Sequence, residues 1–290
     1  MNRRTFLQTA GAAATAATVS PLVSPLVALR PRRASGPAGR LDRIGLELYS
    51  VRNAMRADPE ATLAAVRAIG YTDVELLWSA KNFGRTPSQV HTALLRLGLR
   101  APSAHIGPET LLGDWERSLD DARLLGHEYL IVPSLPAAAD HSLDTWRLWA
   151  DRFNTAGAVA RRTGVWLAFH NEPGHMKQIE GVVPYDMFIA RLDPHVVRLQ
   201  LDVGNMLMGG GDPMHYLERY GDRYWSFHVK DVVSNRSHDT ELGAGVFDIR
   251  RFLGAVQDIV HKPCFVEQEG PKNELASARM DWTYLHDLVF

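Results

Sequence analysis

The sequence predicts an α/β chain folded as a closed (β/α)₈ barrel. Three observations carry that expectation: a helix–glycine–strand unit recurring from residue 41 onward, eight short apolar segments that read as strands, and the length of chain that holds them. The punctuation is visible in Ala68-Ile69-Gly70-Tyr71, Arg96-Leu97-Gly98-Leu99, Leu124-Leu125-Gly126-His127 and Arg162-Thr163-Gly164-Val165. Each glycine stands where a helix C-terminus asks for a left-handed residue. The segments before them carry apolar residues at the helical period, as in Leu63, Val66, Ile69 and Val90, Leu94, Leu97. Thr86-Pro87 and Asp212-Pro213 set a capping side chain just before a proline at the first helical position.

The strand segments are residues 44–50, 73–78, 101–106, 129–133, 166–172, 197–202, 226–231 and 264–269. Strands that alternate with helices lie parallel and are joined by right-handed crossovers. Eight such units over residues 41–290 match the roughly 250 residues typical of a closed barrel. An open doubly wound sheet is the alternative, but no glycine-rich phosphate loop follows the first segment.

The 40 residues before the barrel read differently. Arg3-Arg4, then Phe6-Leu7, then a run from 9 to 29 without a charge resemble a twin-arginine export signal, here given residues 1–29. A membrane anchor is the alternative, and the Gly, Ser and Pro content of the run makes it a poor one. Residues 30–40, basic and rich in Pro and Gly, form a linker. The expected location is therefore periplasmic or secreted, with the twin-arginine export machinery as a partner. That route carries folded proteins, so a metal can be loaded before export, away from tighter-binding copper and zinc.

Composition narrows the chemistry. With 32 basic and 33 acidic side chains, net charge −1, there is no general attraction for nucleic acid or an anionic membrane. The one cysteine, Cys264, can form no internal disulfide and excludes every multi-cysteine zinc site. The 12 histidines leave imidazole and carboxylate as the available metal ligands. A homo-oligomer is compatible with the sequence and is not specified by it.

Buried parallel strands are apolar almost throughout. Here most segments turn polar toward their C-terminal ends: Glu75 in the second, His105 in the third, His170 and Glu172 in the fifth, Asp202 in the sixth, His228 and Lys230 in the seventh, Glu267 and Glu269 in the eighth. In a barrel these ends converge on the face where active sites lie. Period 2 places Ala168, His170 and Glu172 on one face, and likewise Gln200 with Asp202, His228 with Lys230, and Glu267 with Glu269. If those faces point inward, four adjacent strands supply imidazoles and carboxylates together. Such mixed N and O donors suit Mn²⁺, Co²⁺, Mg²⁺ or Zn²⁺.

The motifs GLELYSVR (45–52), IGYTDVEL (69–76), SAHIG (103–107), LAFHNE (167–172), LDVGN (201–205), FHVKD (227–231) and FVEQE (265–269), in that order and spacing, resemble the sugar phosphate isomerase/epimerase group of the xylose-isomerase-like TIM barrels. The resemblance runs from residue 44 to the C-terminus. It implies one divalent ion, Mn²⁺ by preference, with a ligand from each of the fifth to eighth strands: His170, Asp202, His228 and Glu267. In related ketose epimerases the fifth-strand ligand is a glutamate that also carries protons, and one branch has His-Asn-His there. His170-Asn171-Glu172 departs from that branch at its third position, so Glu172 is either the ligand or the acid/base, with His170 in the other role.

Such a site would polarise the carbonyl of a ketose, acidify the neighbouring C–H and stabilise an enediolate. Glu172 and Glu267 are the candidate acid/base residues, and Lys230 would stabilise negative charge or pair with Glu267 or Glu269. Glu75 and His105 would hold sugar hydroxyls, while Trp78, Phe83 or Tyr49 could pack on a sugar ring. Trp146 and Trp149, at helical spacing, are expected in the core. The expected reaction is isomerisation or epimerisation of an unphosphorylated sugar, since export argues against a phosphorylated one. The alternative is elimination from a 3-keto-glycoside on the same site. An apurinic-endonuclease-like metallohydrolase and a non-catalytic sugar-binding barrel are the remaining rivals.

Overall fold

A computed structural model describes residues 39–290. The expected export signal and all but the last two residues of the expected linker lie outside the described residues.

Eight parallel strands close a barrel: β1 Gly45–Glu47, β2 Asp73–Leu77, β3 Arg100–His105, β4 Tyr129–Val132, β5 Trp166–His170, β6 Val197–Asp202, β7 Tyr224–Val229 and, after a small hairpin, β10 Cys264–Val266. The order runs in sequence around the ring and β10 shuts it against β1, with Leu46 paired to Val266. Helices cover the outside. The helix Pro87–Leu97 starts at a reciprocal cap between Thr86 and Gln89 and ends at Gly98, whose φ of 65° lets its N–H reach the carbonyls of Leu94 and Leu95. Asp212 caps Pro213–Tyr220 by accepting the Met214 backbone N–H at 2.9 Å. Trp146 and Trp149 are buried, as their spacing requires; the Trp146 indole N–H donates to the Ala139 carbonyl at 2.9 Å. No helix among the described residues is long and apolar enough to cross a membrane.

Four strands, β1, β5, β7 and β10, end two or three residues before the expected bounds. Strand β1 stops at Glu47, because Leu48 and Val51 are both buried and that spacing of three winds the chain into a 3₁₀ turn, Leu48–Val51. Strands β5 and β10 end at His170 and Val266, so Glu172, Glu267 and Glu269 stand on the loops just beyond. Asp231, expected at the end of the seventh strand, instead opens a two-stranded hairpin, β8 Asp231–Val232 antiparallel to β9 Asp239–Thr240. The Asp231 carboxylate, 1% exposed, accepts backbone N–H groups from Val232, Gly243, Gly245 and Phe247 at 2.9–3.0 Å and so folds this loop around itself.

Inside the barrel the same-face residues stack from one mouth to the other. On β5 they are Trp166, Ala168 and His170; on β6, Arg198, Gln200 and Asp202. At the N-terminal mouth the Arg198 guanidinium lies between two indoles, 3.7 Å from the Trp166 ring centre and 3.1 Å from that of Trp225. Arg161 covers Trp166 at 3.5 Å. Above this plug Tyr129, Ile131 and Ala168 form a small dry layer, separate from the main core between sheet and helices. Polar side chains begin only above it.

Candidate metal centre

The polar interior has two tiers. In the upper tier His170, Asp202, His228 and Glu267 each direct one ligand atom into a common space, and those atoms lie within 4.8 Å of one another. Register explains the convergence: Asp202 pairs with His228 across β6 and β7, and His170 pairs with Gln200, one inward step below Asp202. The His228 Nδ1 is 2.7 Å from Glu267 Oε2 and 3.8 Å from Asp202 Oδ2; His170 Nε2 is 3.5 Å from the same Asp202 oxygen. All four side chains are buried.

Lys230 is buried among them. Its ammonium donates to Asn205 Oδ1 and Glu269 Oε1, both at 2.9 Å, and lies 3.0 Å from Asp202 Oδ2 and 3.1 Å from Glu267 Oε2. Gly204 makes room for it, since a Cβ there would stand 2.6 Å from the lysine stem. Asn205 in turn donates to Glu172 Oε2 at 3.2 Å, and Asn171 exchanges two hydrogen bonds with the Asp202 backbone at 2.9 Å.

In the lower tier Glu75 is the hub. Its Oε1 accepts from His228 Nε2 at 2.5 Å, and His105 Nε2 lies 3.1 Å from the same oxygen. Its Oε2 accepts from Ser103, and Gln200 Nε2 donates to both oxygens at 3.0–3.1 Å. His105 Nε2 also donates to Gln200 Oε1 at 2.9 Å. Beside Glu75, its register partner Glu47 is buried with both oxygens unpartnered.

The electrostatics follow from this crowding. Burial alone would raise Asp202, but the Lys230 ammonium and the neighbouring imidazoles of His170 and His228 hold its carboxyl well below the usual carboxylate range. Glu75 and Glu267 are held low against the same burial, Glu75 by His105 and His228, Glu267 by Lys230 and His228. Burial would lower His228, yet Glu267 and Glu75 push it well up. Burial pushes His170 down to about 4, which leaves a neutral imidazole at neutral pH. Glu47, buried beside the Glu75 carboxylate, is pushed well up and is a neutral acid. Glu172 keeps 35% of its side chain exposed, but packing of its carboxyl and the nearby Glu267 push it up to about 8.

The donor set fits a divalent cation. Both ring nitrogens of His170 and the Oδ2 of Asp202 are buried without a well-directed hydrogen bond, and an ion held by one of those nitrogens and by that oxygen would relieve part of the cost. Two imidazoles and two carboxylates are the mixed N and O ligands that first-row divalent ions accept.

The expected site residues therefore separate. His170, Asp202, His228 and Glu267 come together, with Lys230 against them. Glu172 stands at the rim of this set, its Oε1 3.9 Å from His170 Nδ1. His105 is also within the cluster, its ring 5.2 Å from His170 and 5.3 Å from His228. Glu75 lies beneath His228 with no exposed surface. Trp78 is not brought to the cluster: its indole lies 5.5 Å from His127, which is anchored on the Ala101 carbonyl early in β3. Phe83 is half-buried against the main core, and Tyr49, 38% exposed, stacks under Arg52 at 4.2 Å. Glu47 was detectable, since it breaks an apolar strand by the same rule that marks Glu75. Ser103, Ser226, Asn171 and Asn205 carry no such signal.

A family model described as the xylose isomerase-like TIM barrel matches residues 63–286. The chain belongs to that family. This xylose isomerase-like barrel is 25% identical over 197 residues to an inosose dehydratase of Geobacillus kaustophilus, covering 60% of the chain and 62% of that protein. An inosose dehydratase of Lacticaseibacillus casei is 30% identical over 132 residues, 40% of the chain and 44% of that protein. The chain thus spans less than two thirds of these relatives. Among solved structures, a sugar phosphate isomerase/epimerase from Parabacteroides distasonis matches with a TM-score of 0.75 and 24% identity, covering 86% of this chain and 99% of that one. The IOLI protein, solved with a zinc atom, matches with a TM-score of 0.67 and 11% identity over 83% of this chain and 95% of that one. The chain is therefore of an enzyme family, and its buried His/Asp/Glu group can bind a metal.

Proposed function

We propose that the protein is a divalent-metal-dependent lyase that removes a β-hydroxyl or β-alkoxyl group from an unphosphorylated keto-sugar, keto-cyclitol or 3-keto-glycoside. The observation that carries the proposal is the buried set His170, Asp202, His228 and Glu267 with one partly exposed carboxyl, Glu172, at its rim. Elimination is preferred to the isomerisation expected from sequence because the relatives matched in sequence are dehydratases.

A cation held by those four residues, Mn²⁺ by preference and Co²⁺, Mg²⁺ or Zn²⁺ otherwise, would polarise the substrate carbonyl as a Lewis acid. The residues of the chain do the rest. Glu172 takes the proton from the carbon beside the carbonyl. The electron pair of that C–H bond becomes the new C=C bond as the β C–O bond breaks, and Glu172 returns the proton to the departing oxygen, which leaves as water or alcohol. Asn205 holds Glu172 at 3.2 Å and is itself tied to Lys230. Lys230 donates to Asn205 and Glu269 and lies within 3.1 Å of Asp202 and Glu267, so it acts by holding those carboxylates in place. Because the N-terminal segment reads as a twin-arginine signal, the proposal extends to a periplasmic or secreted enzyme, which disfavours a phosphorylated substrate.

The test is a screen of Mn²⁺-loaded protein in D₂O against free ketoses, an inosose and 3-keto-glycosides, followed by NMR. Loss of the β-oxygen substituent supports the lyase. Deuterium exchange without release returns the reading to isomerase or epimerase, and no exchange with any of them defeats both.

A further inference from the structure

We infer that Glu75 is a positioning residue that selects which nitrogen of His228 faces the metal: it accepts the Nε2–H and so turns Nδ1 toward Asp202 and Glu267. The inference rests on the metal centre proposed above and deepens it. It also takes Glu75 out of the substrate-binding role its strand position suggested.

The two nitrogens of His228 face different carboxylates, Nδ1 Glu267 at 2.7 Å and Nε2 Glu75 at 2.5 Å. A neutral imidazole has one proton and one lone pair, and the partner of the protonated nitrogen decides which is which. Glu75 is a committed acceptor at that place. It is fully buried and fixed in rotation by Ser103 and Gln200. Glu75, His105 and His228 also form a group with ligand-like spacing. Both Glu75 oxygens are already satisfied by hydrogen bonds, so this lower group is an anchor for the upper one and not a second ion site. Carboxylates that receive the outer N–H of a metal-bound imidazole typically contribute about 10–100-fold to metal affinity.

The deciding measurement is a long-range ¹H–¹⁵N spectrum of histidine-labelled protein loaded with Zn²⁺ alone. The expected result is a His228 proton on Nε2; a proton on Nδ1 overturns the inference. Zn²⁺ titration calorimetry adds a second readout. Glu75→Leu is expected to weaken zinc binding about 10–100-fold, and Glu75→Gln, whose amide oxygen can still accept, to recover most of it. A folded Glu75→Leu protein that binds zinc as tightly as the wild type also overturns it. If Glu75→Leu does not fold, the wild-type spectrum decides alone. Wild-type protein that takes up no zinc defeats the metal centre itself, whereas zinc bound with the proton on Nδ1 defeats only the role of Glu75.

Discussion

Glu172 and Lys230 show how near neighbours divide the work of one site. Glu172 has solvent access and a raised proton affinity, so it can exchange a proton; Lys230 is fully buried between Asp202, Glu267 and Glu269 and holds charge in place. Glu172→Gln is expected to lower the turnover rate about 10²–10⁴-fold while leaving bound metal per chain unchanged, measured by elimination rate and elemental analysis. An equal loss of metal would instead make Glu172 a ligand. Lys230→Met is expected to destabilise the metal-free fold by about 3–5 kcal/mol, read by urea denaturation, because it leaves Asp202 and Glu267 buried and uncompensated. Of these residues, the charged ones announced themselves in sequence by interrupting apolar strands. Their partners did not: Asn205 and Ser103 are ordinary residue types at positions where only the closed barrel reveals what they touch.

At the scale of elements, the loop after β7 depends on one side chain. Replacing Asp231 by Ala removes the acceptor for four backbone N–H groups and is expected to cost about 3 kcal/mol or more in urea-unfolding stability. Proteolytic nicking within 233–247 should rise in parallel. This loop was also the least legible part of the fold. The eight barrel strands and their glycine-terminated helices follow from periods of 2 and 3.6, which need several residues to register. Strands β8 and β9 have two residues each, too few to express a period, and exist because Asp231 gathers the chain around it. The early ends of β5 and β10 have a related cause. Polar residues at a barrel mouth share the inward face with the strand below them, so sequence extends the strand through Glu172 or Glu269 where the backbone has already turned away.

For the whole molecule, stability should depend on pH and on metal in separable ways. His127 is buried and its pKa pushed down to about 4 by burial, against about 6.5 in an unfolded chain. A depressed histidine stabilises the fold above its unfolded pKa and loses that contribution as pH falls from about 6.5 toward 4. The slope is about 1.4 kcal/mol per pH unit for that group, so urea titrations at pH 6 and 5 should show His127→Leu with a shallower acid loss than the wild type. Mn²⁺ at about 100 times its dissociation constant should add about 2.7 kcal/mol to the native state, and a chelator should remove it, read as a melting-temperature shift on the order of 5 °C. Variants lacking His170 or Asp202 should lose this response. The Arg198 plug bears on traffic through the molecule. With Trp166, Arg198 and Trp225 packed across the lower mouth, the approach to the metal centre among the described residues is from the upper one, and Glu172 stands at that rim. On the proposed function, ion, substrate and product would share that opening, so the ion would have to enter before the substrate, and a seated substrate would lock it in.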